Sequence, residues 1–476
     1  MRVLFAAYEI FPFAKVGGLA DVAGALPKFL DKSDLDIELV MPYHTGIKGE
    51  GIRTAGFQVS TTFVEKGYTF DVFEGELPDS KVRVYFLKNE ELMDSPDVYG
   101  GKNLGLQAMA FCDAVVSLSK RSSYDIVHMN DWQTALVAPY LKAVNDDSPA
   151  TLFTIHNLGY QGDFSPDYFY MSGLPESFFT YEGVLHYGKF NFLKAGLIYS
   201  DILNTVSKAY ADEIQTEEYG AGLQEVLKLR SDSFYGVLNG IDYDIYDPSK
   251  DPRLPASFSS DAPEGKAQCK KQLQEELGLE PSDAPVIALI SRLVHQKGLD
   301  ILSDITEKIV ELGAQLIILG TGDSHFEEFF KNASFRFPGS VSANILFDVG
   351  LAQRIYGGSD MFLMPSLYEP CGLGQMFSMR YGTVPVVRYT GGLKDTVTEF
   401  NENTKKGNGF GFTDYNGKAL LEAISRAMST YCRKEYWEMI VKNAMTTDCS
   451  WNRSASEYIE LYKLSVKKRK EKANNA

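Results

Sequence analysis

The sequence predicts an α/β protein built from two doubly wound domains, and three observations carry that expectation. Its 476 residues are too many for one ordinary core, so two domains of roughly 200 residues each are expected. Short β-rich runs alternate with helical patterns along the chain, the mark of parallel βαβ construction. One stretch rich in proline, aspartate and serine, DPSKDPRLPASFSSDAPEG, interrupts the alternation and sets a boundary near residues 245 to 265.

The expected strands come in two groups. Before residue 210 they are RVLFAAY, DIELVMP, VRVYFLK, YDIVHMN, ATLFTIH and DILNTVS; after the boundary they are PVIALIS, AQLIILG, ANILFDV, MFLMP and VPVVRY, again interleaved with helices. In such folds ligands bind beyond the carboxyl ends of the strands, so the loops that follow strands are where chemistry belongs. No internal repeat or long low-complexity tract is visible. The carboxyl-terminal VKKRKEKANNA reads as a frayed, solvated helix end, the alternative being a basic interaction tail.

Composition narrows the function. Apolar residues make up 44% of the chain, aromatics 13% and charged residues 23%, a mixture that buries substantial cores. The formal net charge of -16 repels nucleic acid and anionic lipid, so neither nucleic acid nor a membrane is an expected partner, and any anionic ligand must meet local positive charge. Five cysteines without a CxxC pair indicate neither a disulfide framework nor a zinc ribbon, and fit a reducing, cytoplasmic compartment. No uninterrupted apolar stretch reaches the ~20 residues of a membrane span.

Several strand-end loops hold candidate site residues. In KVGGLADVAGALPK, Leu19, Val22, Ala23, Leu26 and Leu30 share a helical face, so a helix starts at about Gly18 with Gly17 and Gly18 at its amino terminus. Free N–H groups and the helix dipole favour an anion there, and Lys15 adds charge; the same Gly-Gly pair is also readable as a plain turn. In PVIALISRLVHQKGLDIL, Arg292 ends a strand, Lys297 follows five residues later and Gly298 precedes an amphipathic helix. A guanidinium beside an ammonium suits a diphosphate, the alternative being two solvated surface charges. In MFLMPSLYEPCGLGQ a strand ends at Pro365, and Glu369 lies in the loop before Cys371, Gly372, Leu373 and Gly374. Its carboxylate either caps the next helix or accepts hydrogen bonds from sugar hydroxyls while the neighbouring amides hold phosphate. Thr390 and Gly391 open a further glycine-rich loop, TGGL.

His156 closes ATLFTIH, and with no second His or Cys at ligand spacing a metal is not expected there. Asp131, in VHMNDWQT, holds the same strand-end position and is either a helix cap or a substrate contact. Of two Asp-x-Asp triplets, Asp34-Leu35-Asp36 enters a strand and so lies at the wrong end of a sheet, while Asp242-Tyr243-Asp244 sits beside the interdomain link. No metal or other cofactor is expected.

Together, KVGGLADVAGALP, HMNDWQT, TIHNLGYQG, FNFLKAG, GVLNGID, SRLVHQKGLDIL, LYEPCGLGQ, RYGTVPVVR and TGGLKDTV stand in the order and spacing of one family. From residue 1 to about Tyr462 the chain resembles bacterial glycogen synthases and plant starch synthases, retaining glucosyltransferases of glycosyltransferase family 5 with the GT-B fold. The resemblance implies two Rossmann-like domains facing across a deep interdomain cleft: residues 1–245 on the acceptor side, residues 246–455 on the nucleotide-sugar side, and a helix with a basic tail, 456–476, crossing back to the first domain.

The resemblance also implies roles. Lys15 and the Gly17 and Gly18 amides lie against the donor diphosphate, and Asp21 lines the same cleft or serves only the helix start. Arg292 and Lys297 bind the diphosphate as it leaves. Glu369 with Cys371, Gly372, Leu373 and Gly374 orients the glucose, and Thr390 and Gly391 border the donor. His156 stands beside the sugar, with Asp131 and Asn239 nearby and Tyr99 on the acceptor side. The implied reaction moves glucose from ADP-glucose, or UDP-glucose, to the 4-hydroxyl at the non-reducing end of an α-1,4-glucan such as glycogen, keeping the α configuration. Fixed cations answer the charge separation, closure of the cleft excludes water, and the leaving phosphate takes the acceptor's proton.

Some positions depart from the family pattern. Val16 replaces a small hydroxyl residue, Asn130 stands where a histidine often precedes Asp-Trp, and DSPDVYGGKNLGLQAMAF, which contains Tyr99, lacks the usual aromatic and Arg-rich form. Phe377 fills the second acidic position of many other GT-B enzymes, a loss this family commonly shows. Competing readings are a transferase with a small sugar acceptor and a catalytically silent glucan-binding scaffold. The presence of Lys15, Arg292, Lys297 and Glu369 counts against the scaffold.

Overall fold

The computed structural model describes residues 1–33, 35–144 and 148–474. Packing separates the chain into two units, Met1–Gly240 with Trp451–Ala476, and Ile241–Ser450. The division falls at Gly240/Ile241, and the terminal segment rejoins the first unit from Trp451 rather than residue 456.

The first unit begins with β1 (Arg2–Ala6), β2 (Asp36–Pro42), β3 (Arg53–Ser60), β4 (Thr69–Glu76), β5 (Arg83–Lys88), β6 (Ile126–Asn130) and β7 (Ala150–Ile155). A small antiparallel sheet of β8 (Asp163–Phe164), β9 (Leu185–His186) and β10 (Lys189–Asn191) follows, then β11 (Ile202–Thr205) and β12 (Phe234–Gly236). The main sheet runs β12-β11-β7-β6-β1-β2-β5-β4-β3, parallel except where β4 and β3 add on antiparallel. Its central strands, IVHMN and ATLFTI among them, are buried along their whole length because helices cover both faces. The antiparallel strands RTAGFQVS and TFDVFEGE instead mix exposed and buried positions, and the sequence reading did not anticipate them.

From β1 the chain builds outward through β2 to β5, then returns to lay β6 against the other side of β1. This reversal is a topological switch point, where loops diverge and leave a crevice beyond the carboxyl ends of the strands. The loop after β1 carries Lys15 and the loop after β6 carries Asp131.

The second unit repeats the plan with β13 (Val286–Ile290), β14 (Gln315–Leu319), β15 (Val341–Asn344), β16 (Met361–Met364), β17 (Val384–Arg388) and β18 (Phe410–Phe412). All pairings are parallel, in the order β15-β14-β13-β16-β17-β18, with the switch point between β13 and β16. β13 stops at Ile290, so Arg292 lies two residues beyond the strand instead of ending it. The helix expected after Gly298 is broken into Leu299–Ser303 and Thr306–Glu311. The expected strand ANILFDV is displaced: β15 ends at Asn344, and Leu346 and Phe347 are exposed in the loop beyond it, Phe347 by 76%. An apolar run does not distinguish a core strand from a loop that displays apolar groups.

The terminal helix Trp451–Asn474 belongs to the first unit. Trp451, Ala455, Tyr458, Leu461 and Tyr462 pack in the core of the first unit. Fully burying a large apolar side chain stabilises by about 1.5–3 kcal/mol. The Tyr462 hydroxyl meets His128 Nδ1 at 2.9 Å within β6. Lys472 pairs with Asp201 at 2.9 Å, Lys468 donates to Ser233 and Arg469 to Ser148, so the basic end is tied to the unit it covers. Among the described residues no helix is long and apolar enough to cross a membrane.

Candidate active site

In the first unit the helix Gly18–Asp31 starts where the apolar periodicity places it, with Gly17 as its N-cap. Lys15 Nζ lies 2.6 Å from Asp21 Oδ1, so Asp21 holds the lysine over the helix start. Burial raises the Asp21 carboxyl above its ordinary value, an effect Lys15 opposes. The Gly17 amide, expected to face a phosphate, donates to Glu9 Oε2 at 3.0 Å, beside the Val16 amide at 2.5 Å. Tyr99 Oη donates to the other Glu9 oxygen at 3.0 Å.

Asp131 is no helix cap. Its backbone is left-handed, with φ of 59°, and its Oδ1 accepts from the His156 amide at 2.7 Å, binding the loop after β6 to the loop after β7. Burial pushes its carboxyl up to about 7 against the pull of the His156 and Asn157 amides. The His156 ring lies with Nε2 2.9 Å from Asn130 Oδ1. Because Asn130 Nδ2 donates to the Ala6 carbonyl, its oxygen is the atom turned to the imidazole. His156 Nε2 therefore carries the proton and Nδ1 is an acceptor. Burial lowers this histidine to about 3, so the ring is neutral at physiological pH. Asn239 is 5% exposed, and its Oδ1 is buried with no hydrogen-bond partner among the described residues.

In the second unit the loops after β13 and β16 meet. Lys297 Nζ lies 2.7 Å from Glu369 Oε2, and Ser366 Oγ donates to the same oxygen at 3.0 Å. Both charged side chains are largely buried, and Glu369 does not cap the helix Gly374–Arg380, whose N-cap is Leu373. Two glycines make this approach possible. Gly298, at φ 73°, would put a Cβ 2.0 Å from the Pro365 carbonyl, and Gly391, at φ 46°, would put one 2.0 Å from the Glu369 carbonyl. Neither position admits a side chain. The Gly392 amide donates to the Glu369 carbonyl at 3.1 Å, so the loop opened by Thr390, N-cap of Gly391–Thr396, supports the glutamate from behind.

Cys371 is buried, and Gly372 has φ 73°. Gln375 Nε2 lies within hydrogen-bond distance of the Cys371 and Gly372 carbonyls and of Thr396 Oγ1, pinning the CGLG turn, while its Oε1 is buried with no partner among the described residues. Arg292 is exposed at the same end of the sheet. Phe377 stacks on Tyr246 at 3.9 Å between ring centroids, so apolar packing fills the position of a second acid. Asp36 pairs with Arg2, Asp34 lies outside the described residues, and Asp242 accepts from the Asp244 amide. Among the described residues no group of three or more His, Cys, Asp or Glu side chains could hold a metal.

Three residues of these half-sites were not identified as site residues from sequence: Glu9, Asn130 as the partner of His156, and Gln375. The available signal was position, since each lies in or beside a loop that follows a strand.

Two switch points, each with charged and glycine-rich loops at the strand ends, are the frame of a GT-B glycosyltransferase, and comparison supports that class. Residues 2–229 match the starch synthase catalytic domain family and residues 270–446 the glycosyl transferases group 1 family. The chain is 52% identical to a glycogen synthase of Kosmotoga olearia, covering 97% of this chain and 98% of that one, and 51% identical to a glycogen synthase of Thermotoga maritima, covering 98% and 99%. The chain belongs to the glycogen synthase family and is a glycosyltransferase that acts on glucan. The catalytic domain of starch synthase IV from Arabidopsis thaliana, solved bound to ADP and acarbose, matches with a TM-score of 0.91 at 33% identity, covering 98% of this chain and 99% of that one. A sucrose-phosphate synthase from Thermosynechococcus elongatus shares the fold, with a TM-score of 0.62 at 16% identity over 97% and 98% of the two chains.

Proposed function

We propose that the chain transfers glucose from ADP-glucose to the non-reducing-end O4 of an α-1,4-glucan such as glycogen, with retention of configuration. The observation that carries this reading is the buried Lys297–Glu369 pair at the switch point of the second unit, 2.7 Å apart. Burying an ion pair is poor economy for stability alone, because the desolvation of both charges offsets their attraction. A fixed ammonium is what a departing diphosphate requires, and Glu369 keeps one oxygen for sugar hydroxyls. The solved relative bound to ADP supports the adenine donor.

In this scheme the bond from glucose C1 to the β-phosphate oxygen breaks and the bond from C1 to the acceptor O4 forms. The acceptor's hydroxyl proton goes to the leaving phosphate, so no side chain acts as a dedicated base. Arg292, Lys297 and Lys15 counter the diphosphate charge. Preorganised cations need little rearrangement as negative charge develops, and no step is routed through a metal or other cofactor. His156, neutral, accepts a sugar hydroxyl at Nδ1, and Asp131 holds the backbone that places it. Phe347 offers an exposed ring to the adenine, and Asn239 and the CGLG turn complete the donor contacts. Tyr99 serves the acceptor. All five cysteines are free thiols, which supports placement in the cytoplasm.

The test compares ADP-glucose and UDP-glucose as donors to a maltooligosaccharide with a chelator present, reading linkage and anomeric configuration by NMR. The reading expects α-1,4 extension from ADP-glucose at the higher kcat/KM. Extension only from UDP-glucose, or only when a divalent metal is restored, would overturn the donor or the metal-free part.

A further inference from the structure

We propose that Glu9 is a positioning residue for the transfer reaction, its single carboxylate setting the Lys15 loop and the Tyr99 ring relative to each other. The inference rests on the reading above that Lys15 meets the donor and Tyr99 the acceptor. Glu9 lies three residues beyond β1 and is 2% exposed. Its Oε2 accepts from the Val16 amide at 2.5 Å and the Gly17 amide at 3.0 Å, and its Oε1 accepts from Tyr99 Oη at 3.0 Å. The preceding residue reinforces the link, because the Tyr8 ring stacks parallel to Tyr99, 6.3 Å between centroids with 8° between planes. A cavity of about 170 Å³ is lined by Lys15, Val16, Pro96, Asp97 and Val98, so the two loops face one space.

Among the described residues Glu9 has no cationic partner, since Lys15 is engaged by Asp21. A buried carboxylate without a counter-charge persists only when hydrogen bonds satisfy it, and here three donors from two separate segments do so. An apolar side chain would fill the space at lower desolvation cost, but it would leave the Val16 and Gly17 amides and the Tyr99 hydroxyl unjoined. The arrangement also reassigns the glycine loop. With the Val16 and Gly17 amides turned inward onto Glu9, the loop meets a ligand through Lys15 and Gly18. Tyr99, although placed on the acceptor side, is mechanically connected to the donor-side lysine through one carboxylate.

The test uses the full chain with Glu9→Ala, Glu9→Gln, Tyr99→Phe and the Glu9→Ala/Tyr99→Phe double variant, measuring KM for ADP-glucose and for maltooligosaccharide separately, with hydrogen exchange at the Val16 and Gly17 amides. Hydrogen bonds to a charged group support about a tenfold rise in donor KM for Glu9→Ala, with faster exchange at both amides. Glu9→Gln keeps an acceptor for the amides at nearly the same volume, so it restores most of both readouts and guards against a variant that simply unfolds. Tyr99→Phe raises the donor KM as well as the glucan KM, and its effect on the donor disappears in the Glu9→Ala background. Unchanged donor KM in Glu9→Ala, or multiplicative effects in the double variant, would overturn the proposal. If the wild-type chain transferred from no donor, the functional reading would fail instead. The exchange readout would still decide the Glu9 link, with protection retained at Val16 and Gly17 in Glu9→Ala counting against it.

Discussion

Breaking the Lys297–Glu369 pair from one side should damage the protein more than removing it altogether. The two side chains are 17% and 8% exposed, with the charged atoms 2.7 Å apart, so either charge left alone is largely cut off from water. Removing one partner of a buried pair costs about 3–5 kcal/mol, and with Ser366 still bonded to Glu369 the lower end applies to Lys297→Met. In a domain of this size each kcal/mol moves the melting temperature by about 2–4 °C, so a drop of roughly 6–12 °C is expected. Glu369→Leu, which strands the lysine, should lose a similar amount. The double variant Lys297→Met/Glu369→Leu buries no unpaired charge and should lie within about 1 kcal/mol of wild type. Urea denaturation of all four proteins, beside label transfer from ADP-glucose to glycogen, separates stability from chemistry. Transfer should fall by about 10²–10³-fold in Lys297→Met and stay lost in the stable double variant. Losses in the double variant equal to the sum of the single losses, or transfer recovered along with its stability, would refute the reasoning.

Three further outcomes follow from the half-sites. Asp131→Asn should gain stability relative to wild type as pH rises from about 5 to 8: the wild-type carboxyl, raised to about 7 by burial, holds its proton in the folded state at pH values where the unfolded state has released it, and that advantage is lost as pH climbs. Urea titrations across that range check it, and a pH-independent difference would contradict it. Gly391→Ala, whose Cβ would lie 2.0 Å from the Glu369 carbonyl at φ 46°, should displace Glu369 and lower kcat at least tenfold, with a stability loss of about 1–3 kcal/mol read by thermal melting. Phe347→Ala should raise the donor KM by about tenfold, the scale of one base stacked on an aromatic ring, and leave the glucan KM unchanged in steady-state kinetics.

Much of the fold was legible because parallel strands covered on both faces write continuous apolar runs, as IVHMN and ATLFTI do. The strands that escaped lack that signature. RTAGFQVS and TFDVFEGE are antiparallel and partly solvated, while FYG and FGF are only three residues long. ANILFDV misled for the opposite reason, since its apolar residues continue past the end of β15 into an exposed loop. The charged residues singled out from sequence for the candidate site, Lys15, Lys297 and Glu369, stand where a strand end and a helix start bracket them. Glu9 was not singled out, because its partners are two backbone amides and a tyrosine ninety residues away, none of which leaves a mark in the local pattern. Asn130 and Gln375 were hidden similarly. Their function is to orient His156 and the CGLG turn, a role that only side-chain geometry displays.

The most direct measurement gives the purified chain glycogen and ADP-glucose labelled in the glucose, and counts label in the precipitated polymer for wild type and for Glu369→Ala. The account predicts incorporation by wild type, with label released by an α-1,4-specific amylase, and incorporation lowered by at least about a hundredfold in a folded Glu369→Ala. No incorporation by folded wild type, or near-normal incorporation by Glu369→Ala, would contradict it.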